Sequence, residues 1–285
     1  MLTSYLGFLF LTQQNSLAET KDIVFSKVGD EELKLDVAVP KSDKALPVIV
    51  LIHGGGWMAG SRGDTAPLVP GLASMGYAIV NVEYRLAPKS KYPAQLEDVK
   101  ASIRWIKENS AKFNFDKNRI VAFGFSAGAH LSSLLAVTGN ETKWDKGFKE
   151  SSAINVAVSY AGPTDLATAW KHRTTQPQAD KAVVDEALPA LLGGSLETVP
   201  DLYKEASPLF HVTKKSAPTM LMHGDIDTLV LKEQSEMFYK SLQENGVPTE
   251  LIVIPKVGHG GFGDTATQTM VIEHFQAFLK KHLKL

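Results

Sequence analysis

The sequence predicts an α/β protein: a mostly parallel sheet of about eight strands with helices on both faces. Three observations carry this expectation. Continuous Val, Ile and Leu runs such as Val48 to Ile52 recur along the chain, the pattern of strands buried on both faces. Stretches with helical spacing separate them, as strand–helix alternation requires. Polar and glycine-rich segments follow several of the runs, where the carboxyl ends of such strands build sites.

In order along the chain, "DIVFSKVGDEELKLDVAVP" reads as two strands around a Gly29-Asp30 turn, an antiparallel edge. "LPVIVLIHGGGW" opens the buried set. "YAIVNVEYRL", "RIVAFGFS", "INVAVSYAG", "APTMLMHGD" and "ELIVIPKV" repeat its pattern. Between them, "YPAQLEDVKASIRWIKENSAK" begins with a proline in its first turn and aligns Leu96, Val99, Ile103 and Ile106 on one face. "SAGAHLSSLLAV" forms a second helix, and about Thr265 to Leu283 a last one. Residues Leu166 to Phe210 contain no strand pattern. They read as a small, partly helical insertion, a lid above the carboxyl edge of the sheet. No linker divides residues 19–285, which are expected to form one domain with that insertion at about 166–210.

Of the 285 residues, 44% are apolar and 21% charged, enough for a large core. Thirty basic against 31 acidic residues leave a net charge of -1. No basic field exists to hold a polyanion, which excludes nucleic acid as a partner. The absence of cysteine excludes disulfides, thiolate zinc sites and cysteine nucleophiles. No two histidines have metal-ligand spacing, so neither a metal nor a cofactor is expected.

At the N-terminus, Tyr5 to Leu11 form a short apolar run, and Ser16 and Ala18 give a small-x-small pattern. Residues 1–18 are therefore expected to be a signal peptide cleaved after Ala18, with export to the periplasm or beyond. No Lys or Arg precedes Lys21, which departs from that grammar. The run is too short to span a bilayer, and no other stretch is long enough.

Gly124-Phe125-Ser126-Ala127-Gly128 fits G-x-S-x-G between a strand and a helix. A tight turn there strains the serine and lifts its hydroxyl above the sheet edge, at a helix N-terminus that favours negative charge. "HGGGW", His53 to Trp57, ends the first buried strand. Its uncrowded glycine N–H groups suit an oxyanion, whereas no Gly-Lys-Ser/Thr follows for a phosphate loop. His53 is expected to anchor that turn. "HGDIDTLV" offers Asp225 and Asp227, and "VGHGGF" offers His259, each at a strand exit. The order Ser, Asp, His is that of α/β-hydrolase triads. His130, His172, His211, His274 and His282 sit in no such exit, and His130 is expected to pack inside. "RGD" at Arg62 reads as loop rather than an adhesion signal. "NET" at Asn140 has no meaning outside a eukaryotic secretory route. One of Glu97 and Asp98 is expected to form a salt bridge to a nearby loop, with Arg85 as the candidate.

"HGGGW", "EYRLAPKSKYPAQLEDV", "GFSAGAHLSS" and "ASPLFHV…APTMLMHGDIDTLV" together resemble segments of the α/β-hydrolase family, in its esterase and lipase branch near the hormone-sensitive-lipase group. The resemblance runs from about Leu46 to the C-terminus. It implies the α/β-hydrolase fold, with Ser126 as nucleophile, Asp227 as acid and His259 as base. It also implies oxyanion donors at Gly55, Gly56 and Ala127. Phe125 and Ala129-His130 stand where that group has GDSAGG, and its long N-terminal cap is missing. Both departures resemble feruloyl- and acetyl-esterase-like proteins.

The expected activity is thus serine carboxylic-ester hydrolysis through an acyl-enzyme, on small short-acyl or aryl esters, with acetyl or feruloyl esters of plant polysaccharide as candidates. Trp57 is expected to line the substrate pocket. An arylformamidase-type amidase is the enzymatic alternative, and a non-catalytic binding module the alternative of another class. Exposed sheet edges permit a homodimer.

Overall fold

The computed structural model describes residues 17–139, 141–145 and 147–285. Eight strands form one sheet: β1 (Leu17–Val28), β2 (Glu31–Pro40), β3 (Leu46–Ile52), β4 (Ala78–Val82), β5 (Phe115–Phe125), β6 (Val156–Tyr160), β7 (Thr219–Gly224) and β8 (Thr249–Ile254), in the order β1-β2-β4-β3-β5-β6-β7-β8. Strand β2 is antiparallel to both its neighbours. All the other pairs are parallel. The fold is that of the α/β hydrolases.

Eleven helices are found among the described residues: α1 (Arg62–Thr65), α2 (Val69–Ser74), α3 (Ala94–Glu108), α4 (Ser110–Phe113), α5 (Ala127–Thr138), α6 (Thr142–Asp145), α7 (Leu166–His172), α8 (Gln178–Leu192), α9 (Pro200–Glu205), α10 (Glu233–Glu244) and α11 (Thr265–Leu283). The continuous apolar run in β3 follows from its place between two helical layers. Val48, Val50 and Ile52 join the core under α3, α5 and α10, with Leu96, Leu134 and Phe238. Ile49 and Leu51 face the opposite core, with Leu72 of α2 and Phe275 and Leu279 of α11. Both cores are closed, so a charge at any of these β3 positions has no route to water.

The turn expected at Gly29-Asp30 separates β1 from β2, and α11 spans the residues expected. The long helix after Tyr92 is interrupted: α3 stops at Glu108, where Asn109 donates its side-chain amide to the Trp105 carbonyl at 2.9 Å, and α4 follows. Asn competes well for backbone partners at helix ends, which accounts for the break. The insertion carries α7, α8 and α9 and no strand. Asp165 caps α7, accepting from the Ala167 and Thr168 amides.

Tyr5 to Leu11, Ser16 and Asn140 of the sequon lie outside the described residues. Ala18 pairs with Val39 in β1. No helix among the described residues is long and apolar enough to cross a membrane.

Candidate active site

Ser126 stands between the end of β5 and the start of α5, with φ 53° and ψ −118°. This region costs a residue with a Cβ on the order of 1–3 kcal/mol and persists only where surroundings enforce it. The enforcement comes from close backbone packing. A Cβ at Gly128 would lie 2.2 Å from the Ile52 carbonyl oxygen and 2.4 Å from that of His53. Only glycine lets α5 sit this near the end of β3. The Ser126 amide donates to the Tyr160 carbonyl of the adjacent strand at 2.9 Å.

Strands β7 and β8 end beside this turn and bring two more expected residues to it. His259 Nε2 lies 2.9 Å from Ser126 Oγ, and His259 Nδ1 lies 2.8 Å from Asp227 Oδ2. A carboxylate can only accept, so the ring proton sits on Nδ1 and Nε2 is free to accept from the hydroxyl. Asp227 Oδ1 accepts from the amides of Leu229 and Val230, both at 3.0 Å. Burial opposes its charge, but hydrogen bonds from His223 and His259 outweigh it and hold the carboxyl down at about 2. The group is ionised at any ordinary pH.

His223 was not singled out by sequence reasoning as a partner of this site. Its Nε2 lies 2.7 Å from the Val230 carbonyl and 3.3 Å from Asp227 Oδ2, while Nδ1 lies 2.7 Å from Ser235 Oγ. Its place in "HGDIDTLV" was visible; its contacts were not. Asp225 braces the neighbouring turn instead, its carboxylate accepting from the Val257 amide at 3.3 Å. Tyr160 was also missed. Its hydroxyl donates to the Gly261 carbonyl and its ring packs 4.8 Å from Phe262, steadying the loop that carries His259.

The loop after β3 closes on Gly55, whose carbonyl accepts from the amides of Met58 at 3.1 Å and Ala59 at 3.0 Å. Gly55 has φ +107°, and a Cβ there would meet the Ala59 oxygen at 2.2 Å. No acceptor among the described residues takes the N–H groups of Gly55 and Gly56. The Ala127 amide opens α5 and has no intrahelical partner. His53 is an anchor: Nδ1 lies 2.8 Å from the Gly54 carbonyl, the ring stacks on Tyr84 at 4.2 Å, and burial lowers its pKa.

Two openings meet at Ser126. A cavity of about 80 Å³ is lined by Trp57, Ala127, Val184 and Leu188 among others. A wider cleft of about 410 Å³ is lined by Gly55, Asp64, Tyr160 and His259 among others. Val183, Ala187 and Leu229 border both. Helix α8 of the insertion therefore divides them. Trp57, which lines the smaller cavity, is only 4% exposed.

The remaining histidines do not join the Ser126 chain. His172 borders the smaller cavity, His211 meets the Glu205 carbonyl, His274 meets Glu250, and His282 packs on Phe278. Arg85 is the loop partner, and it pairs with both Asp98 and Glu97 rather than with one of them. Arg62 of the "RGD" stretch is engaged by Asp22, Asp36 and Glu83, so its guanidinium is turned inward.

Comparison with known proteins agrees with this architecture. Esterase LipQ of Mycobacterium tuberculosis is 30% identical over 272 residues, covering 92% of this chain and 62% of its own length. Esterase LipC of the same organism is 30% identical over 221 residues, covering 76% and 53%. The chain thus spans little more than half the length of these relatives. A truncated carbohydrate esterase from gut microbiota superposes with TM-score 0.80 at 24% identity, covering 96% of this chain and 99% of that one. An acetyl ester-xyloside bifunctional hydrolase from Caldicellulosiruptor lactoaceticus gives TM-score 0.72 at 28% identity, covering 95% and 96%. The sequence model of the family described as BD-FAE matches residues 35–242, from within β2 through the Ser126 turn and the insertion into α10. The chain belongs to the BD-FAE family.

Proposed function

We propose that the protein is a serine carboxylic-ester hydrolase that works through an acyl-enzyme on Ser126. One observation carries this proposal: the unbroken hydrogen-bonded chain from Ser126 Oγ through His259 to Asp227. Ser126 attacks the ester carbonyl while His259 Nε2 takes its proton. The Gly55, Gly56 and Ala127 amides receive the oxyanion, each typically worth about 3 kcal/mol in the transition state. His259 then protonates the leaving alcohol, and a water activated by the same nitrogen releases the acid. Asp227 holds the imidazole tautomer and stabilises its cation.

The proton must travel from His259 to the alcohol, and His259 borders only the wider cleft. That cleft accordingly takes the alcohol, and the cavity of about 80 Å³ takes the acyl group. Its largely apolar lining and small size suit short acyl chains. The names of the structural relatives, a carbohydrate esterase and an acetyl ester-xyloside hydrolase, support acetyl groups on a sugar alcohol.

Labelling by a fluorophosphonate tests the mechanism. The wild type should label and, once labelled, lose all hydrolysis of p-nitrophenyl acetate, whereas Ser126→Ala should neither label nor hydrolyse it. Folded wild-type protein that neither labels nor hydrolyses would overturn it. Parallel assay of N-formylkynurenine separates an ester preference from a formamide one.

A further inference from the structure

Gly55, Gly56 and Trp57 take φ of +107°, +60° and +60° in succession. Trp57 alone among them carries a Cβ, and left-handed backbone is disfavoured for such a residue. The loop's internal bonds close on Gly55, so Trp57 must be held from outside. Its carbonyl accepts from the Ala87 amide at 2.9 Å. Its indole Nε1–H donates to His130 Nδ1 at 3.2 Å, with the two rings edge-on at 5.2 Å.

His130 is fully buried on α5, its amide donating to the Ser126 carbonyl at 3.0 Å. Its Nε2 lies 2.7 Å from the carbonyl oxygen of Ala206, which ends α9 of the insertion. An indole N–H can only donate, so Nδ1 accepts and the imidazole proton resides on Nε2, facing Ala206. One ring in one tautomer thereby joins the nucleophile helix, the glycine loop and the insertion. The glycine loop is in turn packed on the nucleophile: a Cβ at Gly54 would lie 3.3 Å from Ser126 Cβ.

We propose that His130 is a positioning residue: through the Trp57 indole it fixes the Gly55 and Gly56 amides at the place where the oxyanion forms beside Ser126. It touches no substrate. The proposal deepens the acyl-enzyme reading above and rests on it for its kinetic consequence.

The experiment compares His130→Leu, Trp57→Phe, their double variant and His130→Gln, whose amide can both accept from the indole and donate to Ala206. Rates on p-nitrophenyl acetate are normalised to sites titrated with fluorophosphonate. An aryl trifluoromethyl ketone, which places an oxyanion on the enzyme, gives Ki. Each single apolar variant should lose about 10- to 100-fold in kcat per titrated site with KM nearly unchanged, below the cost of deleting a donor outright. Ki should rise by the same factor. The double variant should lose little more than either single one, and His130→Gln should recover most of the loss. Losses that multiply in the double variant, or a Ki that stays put while only the number of titratable sites falls, would refute it. A readout free of turnover covers failure of the ester reading itself. Of the four tryptophan indole N–H resonances, the one absent in Trp57→Phe should shift and exchange faster in His130→Leu and return in His130→Gln. An unchanged signal in His130→Leu refutes the tether whether or not the protein cleaves esters.

Discussion

Replacing Asp227 by Asn changes one atom's chemistry and almost nothing of its shape. Oδ1 already accepts two backbone amides, so the Asn oxygen is held there and its NH₂ takes the place of Oδ2. That NH₂ donates where His259 Nδ1 donates now. His259 must move its proton to Nε2, which then offers a hydrogen to Ser126 instead of accepting one. The imidazolium of the transition state also loses its counter-charge. Two unit charges about 4 Å apart attract by about 4 kcal/mol at an effective dielectric constant near 20. With the tautomer fault added, kcat should fall by roughly 10³- to 10⁴-fold, while the fold survives. The same substitution removes an acid-labile contribution. The native carboxyl sits at about 2 against 3.8 for an unperturbed one, a preference worth about 2 kcal/mol. It is present above pH 3.8 and lost as the pH falls towards 2. Stopped-flow and steady-state hydrolysis of p-nitrophenyl acetate, with circular dichroism during acid titration, read both effects. A variant within about tenfold of wild-type kcat would refute the assignment of Asp227.

His130 gives a second acid effect of its own. Burial lowers its pKa from 6.5 to about 4, and its polar neighbours, Trp57 and the Ala206 carbonyl, are uncharged. The unfolded chain therefore takes up this proton first as the pH falls from 6.5 to 4, costing up to about 3 kcal/mol of stability. His130→Gln should lose several °C less in Tm than wild type between pH 7 and 4, and equal losses would contradict that. Asp64 borders the wider cleft, with no cation paired to it among the described residues, and caps the Ser61 amide at 2.7 Å. Asp64→Asn keeps an acceptor for that cap and removes the charge. It should raise kcat/KM for acetyl esters of an anionic phenol by roughly 3- to 10-fold over those of its neutral amide at low salt. An unmoved ratio would place the alcohol elsewhere.

The sheet, the Ser126 turn, the glycine loop and the His259 exit were legible because each has a local signature. A run such as Val48 to Ile52 encodes burial on both faces, and Gly124 and Gly128 mark where backbones touch. The choice between Asp225 and Asp227 was legible only through family resemblance, since both follow β7 within three residues. What separates them is where the loop turns: Asp225 meets the Val257 amide and Asp227 meets His259. Tyr160 and the Trp57–His130 pair were beyond reach because their partners lie far off in sequence, whereas His223 meets Asp227 and Val230 of its own segment only through the way that loop turns. The indole and imidazole are 73 residues apart. The helices of the insertion lack the β-branched rhythm that betrays strands, so its role in dividing the two openings emerged only in three dimensions.

At Gly128, the helix bearing the serine rests on the carbonyl oxygens of Ile52 and His53 with no side chain between. The gap between the proposed attacking oxygen and the amides proposed to receive the anion is thus gauged by peptide atoms, which every sequence shares. Mutational drift elsewhere can remodel what enters the clefts, chain length and alcohol alike, while the ruler that spaces the reactive parts stays the same length.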